Sequence, residues 1–157
     1  MGSELAARLA ARHLKLAQFC GFDLVELNLK SKRKKGVIKE IANLLAKSHN
    51  VESEEAAFEA LIERENLAST GIGYGIAVPH GKSQHCKGLT IAFGRSIKGV
   101  NFGSIDGAPV HFLFGILGPI TSVQLHLQIM ASLSLLLQGE KSRKCLEIAQ
   151  FPQEILD

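Results

Sequence analysis

The segment Thr70-Gly71-Ile72-Gly73-Tyr74-Gly75-Ile76-Ala77-Val78-Pro79-His80-Gly81 constrains this chain more than any other. Glycine at every second position permits backbone torsions that side-chain-bearing residues avoid, and lets another molecule come close to the main chain. Ile76 to Val78 is an apolar run suited to a buried strand end. Pro79 then fixes its own φ, removes an amide donor and drives Val78 to an extended conformation. This predicts a rigid mount that ends a strand and presents His80 at its tip. An imidazole so held can serve as nucleophile, general base or metal ligand. The plainer reading of an isolated Pro-His is a turn histidine that caps a strand.

The 157 residues suit one domain with one core, and 46% hydrophobic content with 21% charge is a globular composition. A net charge of +3 is modest, and much of it lies in Lys30-Ser31-Lys32-Arg33-Lys34-Lys35. No aromatic residue interleaves that run, so it reads as a solvated helix start and not as a nucleic-acid contact. Cys20, Cys86 and Cys145 are scattered and odd in number, which implies free thiols and a reducing compartment. Glu4, Arg8, Arg12 and Lys15 break up any signal-peptide core, and the apolar stretches 112–120 and 125–137 are too short to span a membrane. A cytoplasmic protein without membrane insertion is expected.

In chain order, Leu5, Leu9, Leu16 and Ala17 suggest an N-terminal helix or extension over residues 1–21. Asp23 to Leu29 alternates like a half-buried strand, and Val37, Ile38, Ile41, Leu44 and Leu45 form a helical stripe. Ser53 is placed to cap a second helix whose apolar face is Ala57, Phe58, Leu61 and Ile62. Leu89 to Phe93 reads as a strand ended by Gly94, and Gly99 to Gly103 as loop. The turn Ile105 to Pro109 precedes a buried strand, Val110 to Leu117. Thr121 or Ser122 would cap a helix over Val123–Leu137, with further helices over Ser142–Ala149 and after Pro152. The fold class is therefore α/β: a single domain with a small mixed β-sheet and helices on both faces.

The glycine segment through His80 closely resembles the phosphorylation-site segment of the fructose/mannitol-type (type 2) enzyme IIA family of the bacterial phosphoenolpyruvate-dependent phosphotransferase system. With Gly81-Lys82 following, it is most similar to the nitrogen-regulatory branch. The resemblance covers residues 22–156 or so, and its core from Arg64 to His80 is the specific part. It implies that His80 carries a phosphoryl group. Arg64-Glu65 followed by Ser69-Thr70-Gly71 matches the family at the same spacing to His80, so Arg64 takes the role of the arginine close to that histidine. His126, in Leu125-His126-Leu127, matches a second histidine that faces the first. Thr70 and Gly81 are expected at the phosphate, and His80 and His126 on one edge of the sheet. His111 departs from the branch, while His13, His49 and His85 match no family position.

The chemistry fits these roles. A neutral imidazole attacks phosphorus, and cations or hydrogen-bond donors steady the phosphoryl oxygens. An arginine fork matches two such oxygens. Donor and acceptor are themselves phosphoproteins, so no metal or other cofactor is expected. A zinc site from His80, His85 and Cys86 has no recognised ligand spacing, and Gly71-x-Gly73-x-Gly75 is not a dinucleotide fingerprint. The resemblance implies an HPr-like phosphocarrier as donor and a IIB-domain cysteine, or a regulatory target, as acceptor. The rival is a regulatory protein-binding module, switched by phosphorylation of His80 with no onward transfer. A degenerate relative that only binds is a third reading, opposed by the presence of His80, Arg64 and His126.

Overall fold

The largely apolar strand Val110–Gly118 (β6) lies at the middle of a six-stranded mixed sheet in a computed structural model that describes residues 18–156. All of β6 is buried except half-buried His111. Burial on both faces is what a continuous apolar strand demands. Its antiparallel neighbour is Thr90–Val100 (β5), which in turn pairs in parallel with Val25–Glu26 (β1). On the other side lie Ile76–Ala77 (β3) and His80–Lys82 (β4), both parallel to β6, with Gly71–Gly73 (β2) antiparallel to β3 at the edge.

Side chains alternate across a strand, and the two faces of the sheet differ in a way that decides what covers them. Ala92, Gly94, Leu113 and Gly115 share one face, and an added Cβ on Gly115 would lie 2.1 Å from Ile41. The small residues let helix Lys34–Leu45 (α1) seat its stripe of Val37, Ile38, Ile41, Leu44 and Leu45, all buried as its periodicity predicts. Helix Glu54–Glu65 (α2) packs beside it, capped by Ser53, whose Oγ accepts the Ala56 amide at 3.2 Å. Phe93, Phe112 and Phe114 stack on the opposite face, with ring centroids 5.0 and 6.4 Å from Phe93. On that side follow helices Val123–Leu137 (α3), Glu140–Ile148 (α4) and Pro152–Leu156 (α5). Arg95 fastens the end of α4 to the segment after β1, its guanidinium donating to the carbonyls of Leu27, Leu146, Glu147 and Ala149.

Three local expectations need correction. The strand predicted over residues 23–29 shrinks to Val25–Glu26 after a 3-10 turn at Phe22–Leu24. It pairs only with Phe93 and Gly94 before the chain leaves the ladder. Gly94 does not end its strand, which runs on to Val100. There the glycine serves as space, because a Cβ would meet Leu29 and Ile41 at 2.8–2.9 Å. Neither hydroxyl caps α3: Ser122 Oγ donates to the Pro119 carbonyl at 2.6 Å.

Of the expected N-terminal helix, residues 1–17 lie outside the described residues. Phe19 accepts the Ile91 amide at 2.9 Å and Cys20 is buried, its thiol pushed up to about 12 by burial. Among the described residues no helix is long and apolar enough to cross a membrane.

Candidate functional site

The glycine segment folds as a hairpin with an unusually tight reversal. Gly73, Tyr74 and Gly75 have φ of 96°, 58° and 76°, so three successive residues occupy the left-handed region. Glycine adopts it freely. Tyr74 does not, and it is held there by the Asp106 carboxylate on its amide (3.3 Å) and by the Arg143 guanidinium 4.3 Å over its ring. The reversal turns Ile76–Ala77 into the parallel ladder with β6.

Val78 and Pro79 interrupt that ladder without shifting it. Ile76 and Ala77 pair with Phe112 and Leu113, and His80 to Lys82 pair with Ile116 to Gly118. Pro79 offers no N–H, yet its carbonyl still accepts the Ile116 amide at 3.0 Å. His80 thus opens a strand instead of standing past the end of one, a correction to the sequence reading that gives it a firmer mount. Gly81 allows β4 to lie against α2, where a Cβ would stand 2.8 Å from the Ala60 carbonyl oxygen.

Half-buried His80 has its ring Nδ1 2.7 Å from the Val78 carbonyl oxygen. A carbonyl only accepts, so Nδ1 carries the proton and Nε2 of the neutral ring carries the lone pair. Burial lowers the His80 pKa below the usual imidazole range. The Val78 bond and Glu65 oppose this, while the charges of Arg64 and Lys82 add to it. A neutral ring with a fixed tautomer and a free Nε2 is a nucleophile in readiness.

His126 lies on the first turn of α3, and its ring centroid is 5.3 Å from that of His80, with the planes tilted at 56°. It is 5% exposed, and burial, then the charges that His80 and Lys82 can carry, lower its pKa to about 4. Three buried side-chain polar atoms among the described residues lack a hydrogen-bond partner, and two of them are the ring nitrogens of His126. An unpaired buried donor costs about 1–3 kcal/mol, so such atoms call for a functional account.

Arg64, half-buried at the last turn of α2, donates to the Ala68 carbonyl at 3.0 Å and acts on His80 through its charge. The fold therefore brings Arg64, His80 and His126 into one neighbourhood. Thr70 is placed differently. Its hydroxyl donates to Glu65 at 2.6 Å and its amide to the same carboxylate at 2.9 Å, so its proton is spent inside the fold. His85 and Cys86 turn elsewhere, His85 to Glu52 (3.3 Å) and the Cys86 thiol to the Gly88 carbonyl (3.2 Å). Among the described residues no cluster of three or more His, Cys, Asp or Glu is arranged to hold a metal. Sequence reasoning missed Lys82 and Glu65 as neighbours of His80. Period-two alternation from His80 would have flagged Lys82, while no local pattern marks Glu65.

The two histidines set a pH dependence of stability. In the unfolded chain they bind protons near pH 6.5, whereas in the fold they resist protonation down to lower pH, about 4 for His126. The unfolded state then holds more protons, so stability falls with a slope of up to about 1.4 kcal/mol per pH unit per group as pH drops below about 6.5. Denaturation midpoints measured from pH 7.5 to 4.5 should show this slope, and His126→Gln should flatten it. A slope unchanged in that variant would mean that His126 titrates normally.

Similarity to known proteins agrees with the geometry. The family model described as "Phosphoenolpyruvate-dependent sugar phosphotransferase system, EIIA 2" matches residues 18–157. The fructose-specific EIIABC component of Bacillus subtilis is 38% identical over 92% of this chain, which spans only 23% of that longer protein. The fructose-specific EIIA component of Haloferax volcanii is 37% identical, over 86% of this chain and 88% of its own length. A nitrogen regulatory protein of Bradyrhizobium diazoefficiens is 35% identical over 81% of this chain and 82% of its own. Among solved structures, nitrogen regulatory protein IIA-Ntr of Neisseria meningitidis superposes with a TM-score of 0.83 at 30% identity, over 89% of this chain and 95% of its own. The mannitol IIA of Escherichia coli, solved in complex with phosphorylated IIB, gives 0.74 at 27% identity over 87% and 93%. The chain belongs to the type 2 enzyme IIA family of the phosphoenolpyruvate-dependent phosphotransferase system.

Proposed function

We propose that the protein is a phosphocarrier of the cytoplasm that takes a phosphoryl group on His80 Nε2 from an HPr-like phosphocarrier protein and passes it to a IIB-type partner. The observation that carries this reading is the fixed tautomer of His80: Nδ1–H on the Val78 carbonyl, Nε2 free, beside a buried imidazole with no partner of its own. The Nε2 lone pair attacks phosphorus as the donor's N–P bond breaks, and the electron pair of that bond returns to the donor's imidazole. Negative charge spreads over the phosphoryl oxygens in the transition state. His126 can donate an N–H to one of them, while Arg64 and Lys82 supply positive charge around the same point.

Thr70 enters as a support of the segment, since its proton goes to Glu65, and Gly81 lets β4 lie against Ala60. The IIB-type acceptor is supported by the likeness to the mannitol IIA solved with its phosphorylated IIB. Free Cys20, Cys86 and Cys145 accord with a reducing compartment.

The test is incubation with phosphoenolpyruvate, enzyme I and HPr-type carriers, followed by intact mass. One acid-labile, base-stable phosphoryl group should appear, and it should move to an added IIB domain. Stable phosphorylation without transfer to any IIB would favour the regulatory alternative, and no uptake would sink the phosphocarrier reading.

A further inference from the structure

The residue that holds the proton on His80 is itself held by a chain of bonds that begins in the basic run. Val78 supplies the carbonyl for His80 Nδ1, and its amide donates to the Thr70 carbonyl at 3.0 Å. Thr70 is gripped twice by Glu65, through its amide and its hydroxyl. The Glu65 side chain is only 2% exposed, and Lys34 Nζ meets its Oε1 at 2.9 Å. Lys34 is fixed in turn by the Phe102 carbonyl at 3.0 Å and lies 4.7 Å over the Phe102 ring. The same carbonyl accepts the Ser69 hydroxyl at 2.9 Å, and that oxygen accepts the Gly71 amide at 3.1 Å. One end of the basic run is therefore part of the frame around the glycine segment, not a solvated helix start. Its neighbours Lys32, Arg33 and Lys35 are exposed.

We propose that the ion pair between half-buried Lys34 and buried Glu65 is a positioning device for His80. Through Thr70 it fixes Val78, and the Val78 carbonyl keeps the His80 ring in the tautomer and orientation that leave Nε2 free. The pair has a second effect. Glu65 is near enough for its charge to act on His80, so an uncompensated carboxylate there would repel an incoming phosphoryl group. Lys34 cancels it. The ammonium of a lysine only a third exposed enters the pair while it also lies over the Phe102 ring, which favours a cation there.

The rate part of this inference rests on the phosphocarrier reading, and the tautomer part does not. The test is nitrogen-15 NMR of the His80 ring in the unphosphorylated protein, with phosphorylation kinetics alongside. The wild type should show a protonated Nδ1 and a bare Nε2. Lys34→Met should move the His80 signals toward a mixture with protonated Nε2, and slow phosphoryl uptake by roughly tenfold or more, as misplacement of a reacting group does. Lys34→Met/Glu65→Gln should recover most of both, because an amide needs no counter-charge and still accepts from the Thr70 amide. Should Lys34→Met fail to fold, Thr70→Val, which removes only the hydroxyl bond, should shift the tautomer the same way by a smaller amount. An unshifted tautomer in a folded Lys34→Met, or in Thr70→Val where that one does not fold, would reduce the pair to a structural contact and overturn the proposal. A wild type that takes up no phosphoryl group while the variants still shift the tautomer would sink the phosphocarrier reading and leave the positioning role standing.

Discussion

His80→Ala is expected to leave the protein folded and wholly unable to accept a phosphoryl group from its carrier. The ring is half-buried at the sheet edge, and its one described hydrogen bond goes to a carbonyl next to Pro79. Losing a single hydrogen bond of this kind costs on the order of 1 kcal/mol, small beside the stability of a domain. The ladder does not depend on the ring, since Ile116 bonds the Pro79 carbonyl and the register with β6 is a backbone matter. Far-ultraviolet circular dichroism should therefore be nearly unchanged. Intact mass should show no added phosphoryl group, because among the described residues no other imidazole combines a fixed tautomer with this surrounding charge. His126, the nearest ring, is a deeply buried group with neither nitrogen oriented by a partner. Phosphate retained by His80→Ala on a second histidine, or on Ser or Thr, would overturn the assignment.

What the sequence disclosed about this site was the part governed by local chemistry. Pro79 before His80, and glycines at 73 and 75, dictate backbone shape wherever they fall: the glycines take up the positive φ they permit, and His80 is mounted on the sheet, although it opens a strand where that reasoning had it end one. Arg64 and His126 came from family resemblance alone. A helix-end arginine and a histidine between two leucines carry no periodic signal that says they meet.

The remainder was hidden because it depends on contacts distant in the chain. Gly94 looked like a strand end, since glycine is both a breaker and a spacer, and only Leu29 and Ile41 decide which. Lys34 looked like one more solvated lysine in a basic run. What turns it inward is a buried carboxylate at the far end of the next helix, and no reading of charge pattern could pair the two. Thr70 was expected at the phosphate for its position. Its hydroxyl is instead consumed by that same carboxylate, a fact that needs the coordinates of α2.

Arg64→Ala is expected to slow phosphoryl uptake by about 100-fold, close to 3 kcal/mol of transition-state stabilisation, while the domain stays folded. The argument has two parts. Charge grows on the phosphoryl oxygens as the group passes between imidazoles, and a half-buried guanidinium already braced on the Ala68 carbonyl meets it without reorganisation. Arg64 also lowers the His80 pKa, so its removal lets the ring take a proton more readily. The rate of uptake should then lose its acid limb at higher pH than in the wild type, because a protonated Nε2 cannot attack. Arg64→Lys separates the parts. It keeps a positive charge near His80, so the acid limb should stay close to its original place. An ammonium presents a point charge and not a planar fork, so the rate at neutral pH should recover only in part. Stopped-flow or quench measurement of phosphoryl uptake against pH, in all three proteins, decides the matter. An alanine variant with the wild-type rate and pH profile would show Arg64 to be a helix-end cation and nothing more.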